Sequence, residues 1–200
     1  MSLFQSRRDP LAAYRLLILG VVVLLGGLTF MFLRGPSVWQ RFYYELEHEP
    51  LIMDSAKRHN VSPYLIAAVI EAESDWDAAA QSAVGAQGLM QVMPSTAREL
   101  DRRGRVDGKE YPAAELSDPR VNIEYGAAYL RYLVERYHEI EPALAAYNGG
   151  LTNVDAWVAQ GGDIRDRIEF PETKHFVLKV ARAKDRYEAL YPDEFEGWDR

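Results

Sequence analysis

Two carboxylates sit close together in "AAVIEAESDW", residues 67–76: Glu71 and Glu73, followed by Asp75 and Asp77. Paired carboxylates are the usual equipment for splitting glycosidic bonds, one as general acid and one as base or nucleophile. On a helix through residues 63–75, however, Glu71 and Glu73 point in different directions. Ile66, Ile70 and Glu73 share a face at i, i+4 and i+7, and Val69 stands four residues before Glu73. Glu73 thus ends an apolar stripe, whereas Glu71 reads as a surface residue. A carboxyl set against apolar side chains is expensive to ionise, so its pKa rises, and a carboxylic acid still protonated near neutral pH is what a general acid requires. Asp75 lies well round the helix from Glu73, so no second carboxylate is aligned with it.

The segment "SAVGAQGLMQVMPSTA", residues 82–97, follows. Gly85 and Gly88 mark a tight loop, and Gln91 is a lone amide among Leu89, Met90, Val92 and Met93, where it needs partners from protein or ligand. In "LAAYNGG", residues 144–150, Tyr147 and Asn148 stand where a helix stops at Gly149-Gly150, which presents both to a cleft.

The elements that must position these groups are helical. Ser62-Pro63 starts a helix to about Asp75; Pro94-Ser95-Thr96 opens another, closed by Gly104; residues 105–121 read as loop; Asn122 starts a long helix with the stripe Ile123, Ala127, Leu130, Val134 and Tyr137. A short helix from Glu141-Pro142, one capped by Thr152 and one from Glu172 to Leu190 complete the set. No alternating strand of useful length occurs. The expected fold is all-α, a single helical domain over residues 51–191, with a loose acidic tail at 192–200.

Ahead of it, residues 16–33 are an uncharged apolar run. At ~1.5 Å per residue they reach ~27 Å, about one hydrocarbon core. The run is long for a signal peptide and no A-x-A cleavage site follows, so it reads as an uncleaved transmembrane anchor, with a cytoplasmic segment at 1–15 and a stem at 34–50, broken from the anchor at Gly35-Pro36-Ser37 and ended by Pro50. Arg7, Arg8 and Arg15 precede the run and only Arg34 and Arg41 closely follow it, which predicts an N-terminus in the cytoplasm and the main domain on the far side of the inner membrane, in the periplasm. Residues 1–34 carry four Arg against one Asp, so the chain's net charge of −7 leaves −10 on the remainder. An acidic domain suits a neutral glycan better than nucleic acid. The chain has no cysteine, which removes disulfides, thiolate metal sites and a lipidated N-terminal Cys. His48, His59, His138 and His175 have no metal-ligand spacing, no G-x-S-x-G elbow occurs, and "GRVDGKE", 104–110, lacks both the glycine spacing and the Ser or Thr of a phosphate loop. No metal and no cofactor are expected.

Four short motifs, in order, resemble the soluble lytic transglycosylase-like (SLT) domain of the goose-lysozyme-like murein-degrading enzymes: Glu73-Ser74; Gly85-Ala86-Gln87-Gly88-Leu89-Met90-Gln91 with Met93-Pro94; Ala146-Tyr147-Asn148-Gly149-Gly150; and Glu172-Thr173. The resemblance covers about residues 52–190. One departure is Phe176-Val177, where the family usually has Tyr-Val. The resemblance implies a lysozyme-like fold and a lytic transglycosylase acting on peptidoglycan glycan strands. Glu73 would protonate the oxygen between N-acetylmuramic acid and N-acetylglucosamine, then take the proton of the muramic acid's C6 hydroxyl as it closes onto C1 to give a 1,6-anhydro end. It also implies that Ser82, Met90, Gln91, Tyr147, Asn148 and Glu172 bind substrate. Residue chemistry agrees in one respect: an internal hydroxyl nucleophile makes a second carboxylate unnecessary. The alternatives are a lysozyme-like muramidase and a non-catalytic wall-binding protein. Wall turnover, division and opening the wall for a secretion apparatus all fit a small anchored enzyme.

Overall fold

The computed structural model describes residues 10–198 and divides into two compact units, one up to Glu45 and one from Leu46 onward. Arg7 and Arg8, on which the orientation of the anchor leans, lie outside the described residues.

The first unit is a single helix, α1 (Pro10–Tyr43). Its window Tyr14–Met31 has a mean hydropathy of 2.0 and no buried residue, so by length and composition it can cross a bilayer. The helix does not break at Gly35-Pro36-Ser37 but runs on to Tyr43. Trp39, Phe42 and Tyr43 are exposed near its end.

The second unit holds α2 (Glu49–His59), α3 (Pro63–Glu73), α4 (Pro94–Arg102), α5 (Pro119–Tyr137), α6 (Ile140–Gly149), α7 (Leu151–Ala159), α8 (Ile164–Arg167) and α9 (Pro171–Leu190). Proline occupies the first turn of α2, α3, α4, α5 and α9, where its fixed φ suits a helix and its missing N–H is no loss. Pro50 therefore starts a helix rather than ending the stem. The long helix begins at Pro119, three residues before Asn122, because the Asp118 side chain accepts from the Arg120 amide at 2.8 Å. Among the described residues the only β pairing is two isolated bridges, Gln81 with Gln87 and Gln87 with Val92.

The core forms around α5, whose Ile123, Tyr125, Ala127, Leu130 and Leu133 are fully buried. Residues 121–128 of this helix are all buried, as befits the centre of a domain. The helices α2, α3, α4 and α6 all lie against it, and α9 packs on α3 and α6. The tail is not loose: Phe195 is buried, standing edge-on to Tyr64 at 5.0 Å, and the Tyr64 hydroxyl donates to the Tyr191 carbonyl at 2.7 Å.

Candidate active site

Glu73 is the last residue of α3. The chain turns away sharply after it, since Asp75 and Trp76 both hold left-handed φ values, 52° and 67°. Two such residues in succession are costly without glycine, and the surroundings hold them there. The Ser74 hydroxyl bridges the Ile70 carbonyl (3.2 Å) and the Leu89 carbonyl (2.8 Å), and the Trp76 indole N–H donates to the Tyr187 hydroxyl at 3.0 Å. The loop 77–93 is thereby folded back over the helix end.

Inside that loop Gln91, at φ 46°, spends both amide hydrogens on carbonyls, those of Ala80 (3.1 Å) and Gly88 (2.9 Å). Its side-chain carbonyl remains to meet a ligand, as an acceptor. Ser82 Oγ accepts from the Ala86 amide at 2.9 Å, which leaves its own hydrogen to donate. Met90 is fully buried, with its sulfur on Gly126: a Cβ built there would lie 2.2 Å from Met90 Sδ. A side chain with no exposure acts through packing, so the Met90 thioether supports the cleft from below instead of lining it. The loop is tied to α5 by Asn122, a fully buried amide that no sequence pattern exposed. Asn122 accepts from the Met90 amide and donates to the carbonyls of Gln87 and Leu116, each at 2.7 Å. Gly88 (φ 74°) is required beside it, because a Cβ would fall 2.3 Å from Asn122 Nδ2 and 2.4 Å from the Leu116 carbonyl oxygen.

The opposite wall comes from the end of α6 and the start of α9. The Tyr147 hydroxyl donates to the Met90 carbonyl at 2.7 Å, which joins the two walls. Its ring stacks on Phe176 (6.4 Å, 9° between planes) and tilts against Tyr129 at 5.3 Å. Phe176, the departure from the family pattern, is therefore a buried stacking surface for Tyr147. Thr173 Oγ1 donates to Asn148 Oδ1 at 2.8 Å, fixing Asn148 from the neighbouring helix. Glu172 is exposed in the first turn of α9.

Electrostatics separate the two glutamates. Glu71 is buried rather than at the surface: α9 covers that side of α3, and both carboxylate oxygens accept from one Arg186 nitrogen, at 2.5 and 2.6 Å. Glu73 is half-buried, and among the described residues its carboxyl makes no hydrogen bond or ion pair. Burial pushes its pKa up to about 7, opposed by the positive charge of Lys179 and reinforced by Glu172. The Tyr147 phenol is pushed well above its ordinary value, by burial first and then by the charges of Glu73 and Tyr129. Glu73 thus lies within electrostatic reach of Tyr147, Glu172 and Lys179, while Ser82, Gln91 and Asn148 are fixed in the loop and at the helix end. Lys179 was not legible as a site residue, since nothing in its local sequence marks it.

Residues 50–170 match the profile of the transglycosylase SLT domain family. The transglycosylase of enterobacteria phage PRD1 is 39% identical over 106 residues, 53% of this chain and 36% of that protein. The membrane-bound lytic murein transglycosylase C of Actinobacillus pleuropneumoniae serotype 5b (strain L20) is 37% identical over 167 residues, covering 70% of this chain and 46% of its own length. An inactive glutamate-to-glutamine mutant of the Pseudomonas aeruginosa lytic transglycosylase Slt superposes with a TM-score of 0.68 at 29% identity, over 79% of this chain and 27% of that one. The chain thus spans under half the length of each, and the shared part is the helical, lysozyme-like domain. By the motifs, the helix order and the family profile together, the chain belongs to the transglycosylase SLT domain family.

Proposed function

We propose that the protein is a membrane-anchored peptidoglycan lytic transglycosylase that cleaves the β-1,4 bond from N-acetylmuramic acid to N-acetylglucosamine without water, leaving 1,6-anhydro ends. The observation that carries this reading is the Glu73 carboxyl at the end of α3, unpaired among the described residues, its pKa pushed up to about 7 by burial and its charge acting on Tyr147. At neutral pH such a group is half protonated, poised both to give and to take a proton. In the first half of the reaction Glu73 donates its proton to the bridging oxygen as the C1–O bond breaks. In the second half the Glu73 carboxylate accepts the proton of the C6 hydroxyl as that oxygen bonds to C1. The Ser82 hydroxyl as donor, the Gln91 carbonyl as acceptor, Asn148 and Glu172 would hold the sugar rings; Tyr147 would hold the loop and the substrate's N-acetyl edge. Peptidoglycan glycan strands are the substrate.

The apolar window of α1 supports anchoring, and membrane-bound enzymes occur among the relatives. The arginine bias of the sequence supports a single pass through the inner membrane, with the N-terminus in the cytoplasm and residues 51–191 in the periplasm. Wall-building or secretion machinery would be the neighbours of such an enzyme.

A muramidase reading has one observation behind it: Glu172 is close enough to Glu73 to raise its proton affinity, so a second carboxylate faces the cleft. Digestion of purified murein followed by mass analysis of the products decides. Anhydro ends from the wild type, and a fall of about 10²–10⁴-fold for Glu73→Gln, are expected. Reducing ends would establish the hydrolase, and full activity of Glu73→Gln would refute both.

A further inference from the structure

The helix α9 carries Glu172, Lys179 and Arg186 at seven-residue intervals, so the three lie along one face. That face lies along α3. Arg186 grips Glu71 through both of its carboxylate oxygens. One heptad earlier, the Lys179 ammonium donates to the carbonyls of Glu71 (3.2 Å) and Ala72 (3.0 Å). These carbonyls belong to the last turn of α3, where the helix dipole presents partial negative charge; that of Glu71 also accepts from the Ser74 and Asp75 amides. The Ala72 carbonyl is part of the peptide bond that leads into Glu73, so a hand on that oxygen is a hand on the Glu73 backbone. One heptad earlier again, Glu172 faces the same carboxyl with the opposite sign.

We propose that Lys179 is a positioning residue for the acid: clamped on the last carbonyls of α3, it fixes the backbone that carries Glu73 and supplies the positive charge that meets the carboxylate left after the first proton transfer. The proposal rests on the reading of Glu73 as the acid and extends it to a residue that the family motifs do not mark. Its chemistry follows from the two-step use of one carboxyl. Giving up the proton creates an anion in a half-buried cleft, where burial and Glu172 both oppose it. The other groups that face Glu73 cannot compensate. Tyr147, on α6, carries a phenol whose hydrogen is engaged by Met90, and the Arg186 guanidinium is turned to Glu71. Among the described residues Lys179 is the cation that acts on Glu73, in keeping with the downward pull it exerts on the acid. A lysine is suited to this because its long stem lets a side chain rooted in an exposed position on α9 bring a point charge to another helix's end.

A purely structural cap would need a donor but not a charge, and that difference is the test. Full-length wild type, Lys179→Gln and Lys179→Arg are compared in detergent by carbon NMR titration of the Glu73 carboxyl, assigned by its loss in Glu73→Gln. In Lys179→Gln the midpoint is expected to rise by roughly 0.5–1 pH unit, as for the loss of one nearby charge in a partly solvated site. In Lys179→Arg it should return to the wild-type value. The alkaline limb of the pH profile of murein release should move upward with the midpoint in Lys179→Gln, with kcat lowered more than KM. Should Lys179→Gln not accumulate, Lys179→Met removes the same charge and serves in its place. An unchanged midpoint in the charge-free variant overturns the proposal. The titration needs no turnover, so a wild type that releases no murein would refute the proposed function and leave the midpoint comparison to decide on Lys179 by itself.

Discussion

The middle of α5 and the end of α3 each place a glutamate against the hydrophobic core, and the two behave in opposite ways. Glu124, on α5, is 1% exposed. Burial alone would push its pKa up, but the hydrogen bond and charge of His59, with Ser55 and Arg58, outweigh that and hold it below the ordinary carboxylate range. The Ser55 hydroxyl and His59 Nε2 lie 2.7 Å from its oxygens, and Arg58 pairs with it from the same helix, α2. Glu73 is less buried, yet its pKa is pushed up to about 7, because burial raises it and, among the described residues, none bonds to its carboxyl to offset that. Depth of burial therefore does not decide the protonation state of a core carboxylate; the satisfaction of its oxygens does. A fully bonded glutamate is a fastening between helices. A half-buried glutamate with open oxygens is free to exchange a proton with a bound ligand.

The comparison is broken most forcefully by removing the fastening. Glu124→Ala leaves a buried hydroxyl and an imidazole without their acceptor, and should cost about 3–4 kcal/mol of stability at pH 7, somewhat less than a fully buried pair because Arg58 can turn to solvent. The pH dependence has a definite sign. A carboxylate held below its ordinary value contributes stability that is fully present above about 4.5 and lost as pH falls through the lower folded-state value. Chemical denaturation from pH 7 down to pH 3 should show this acid loss in the wild type and a flatter profile in Glu124→Ala. Equal slopes would mean that Glu124 is not the carboxylate responsible.

The same measurement on Glu73 should give the reverse sign. Its folded-state pKa, about 7, lies above the ordinary 4.5, so the native state binds the proton more tightly. The group therefore imposes no penalty below about pH 4.5, and its penalty grows until pH passes the folded value. Glu73→Gln, isosteric and uncharged, should stabilise the domain by about 1–3 kcal/mol at pH 8 and by nothing measurable at pH 4. A residue that costs stability when ionised is retained for its chemistry. A variant destabilised at pH 8 would place Glu73 in the same class as Glu124.

How much of this contrast the sequence discloses depends on how far apart the partners are. Glu73 was legible because its evidence is local: Ile66, Val69 and Ile70 lie within two turns, and periodicity reports such neighbours. Tyr147 and Asn148 were legible for the same reason, marked by the two glycines that stop their helix. Glu71 was misread because a single helix wheel sees one covered face, whereas α9 covers the other, with Arg186 115 positions away. Nothing local marks Glu124, and Asn122 read only as the start of a helix; their partners at Ser55, His59 and Met90 lie 69, 65 and 32 residues distant. Gly88 could be read as a point of close backbone approach, but not that Asn122 is what approaches. Phe195 sits among acidic residues that suggest a free tail, and its place in the core, edge-on to the distant Tyr64, explains its burial.

The finest distinction is between the acid and the group that holds its cleft together. Tyr147→Phe keeps the ring between Phe176 and Tyr129 and deletes one hydroxyl, the donor to the Met90 carbonyl at 2.7 Å. The loss should cost about 1 kcal/mol of stability, the ordinary net value of one such bond. The loop carrying Gln91 then loses its hydrogen bond to α6, so murein release should fall by about tenfold from imperfect positioning. The pH at which activity is half lost on the alkaline side should stay where it is. A phenol held far above its ordinary pKa is neutral throughout the working range, and exchanging one neutral ring for another changes no charge near Glu73. If that limb moves in Tyr147→Phe by as much as in Lys179→Gln, the hydroxyl is part of the acid's own proton balance, and the division between the carboxyl that reacts and the ring that positions it has been drawn in the wrong place.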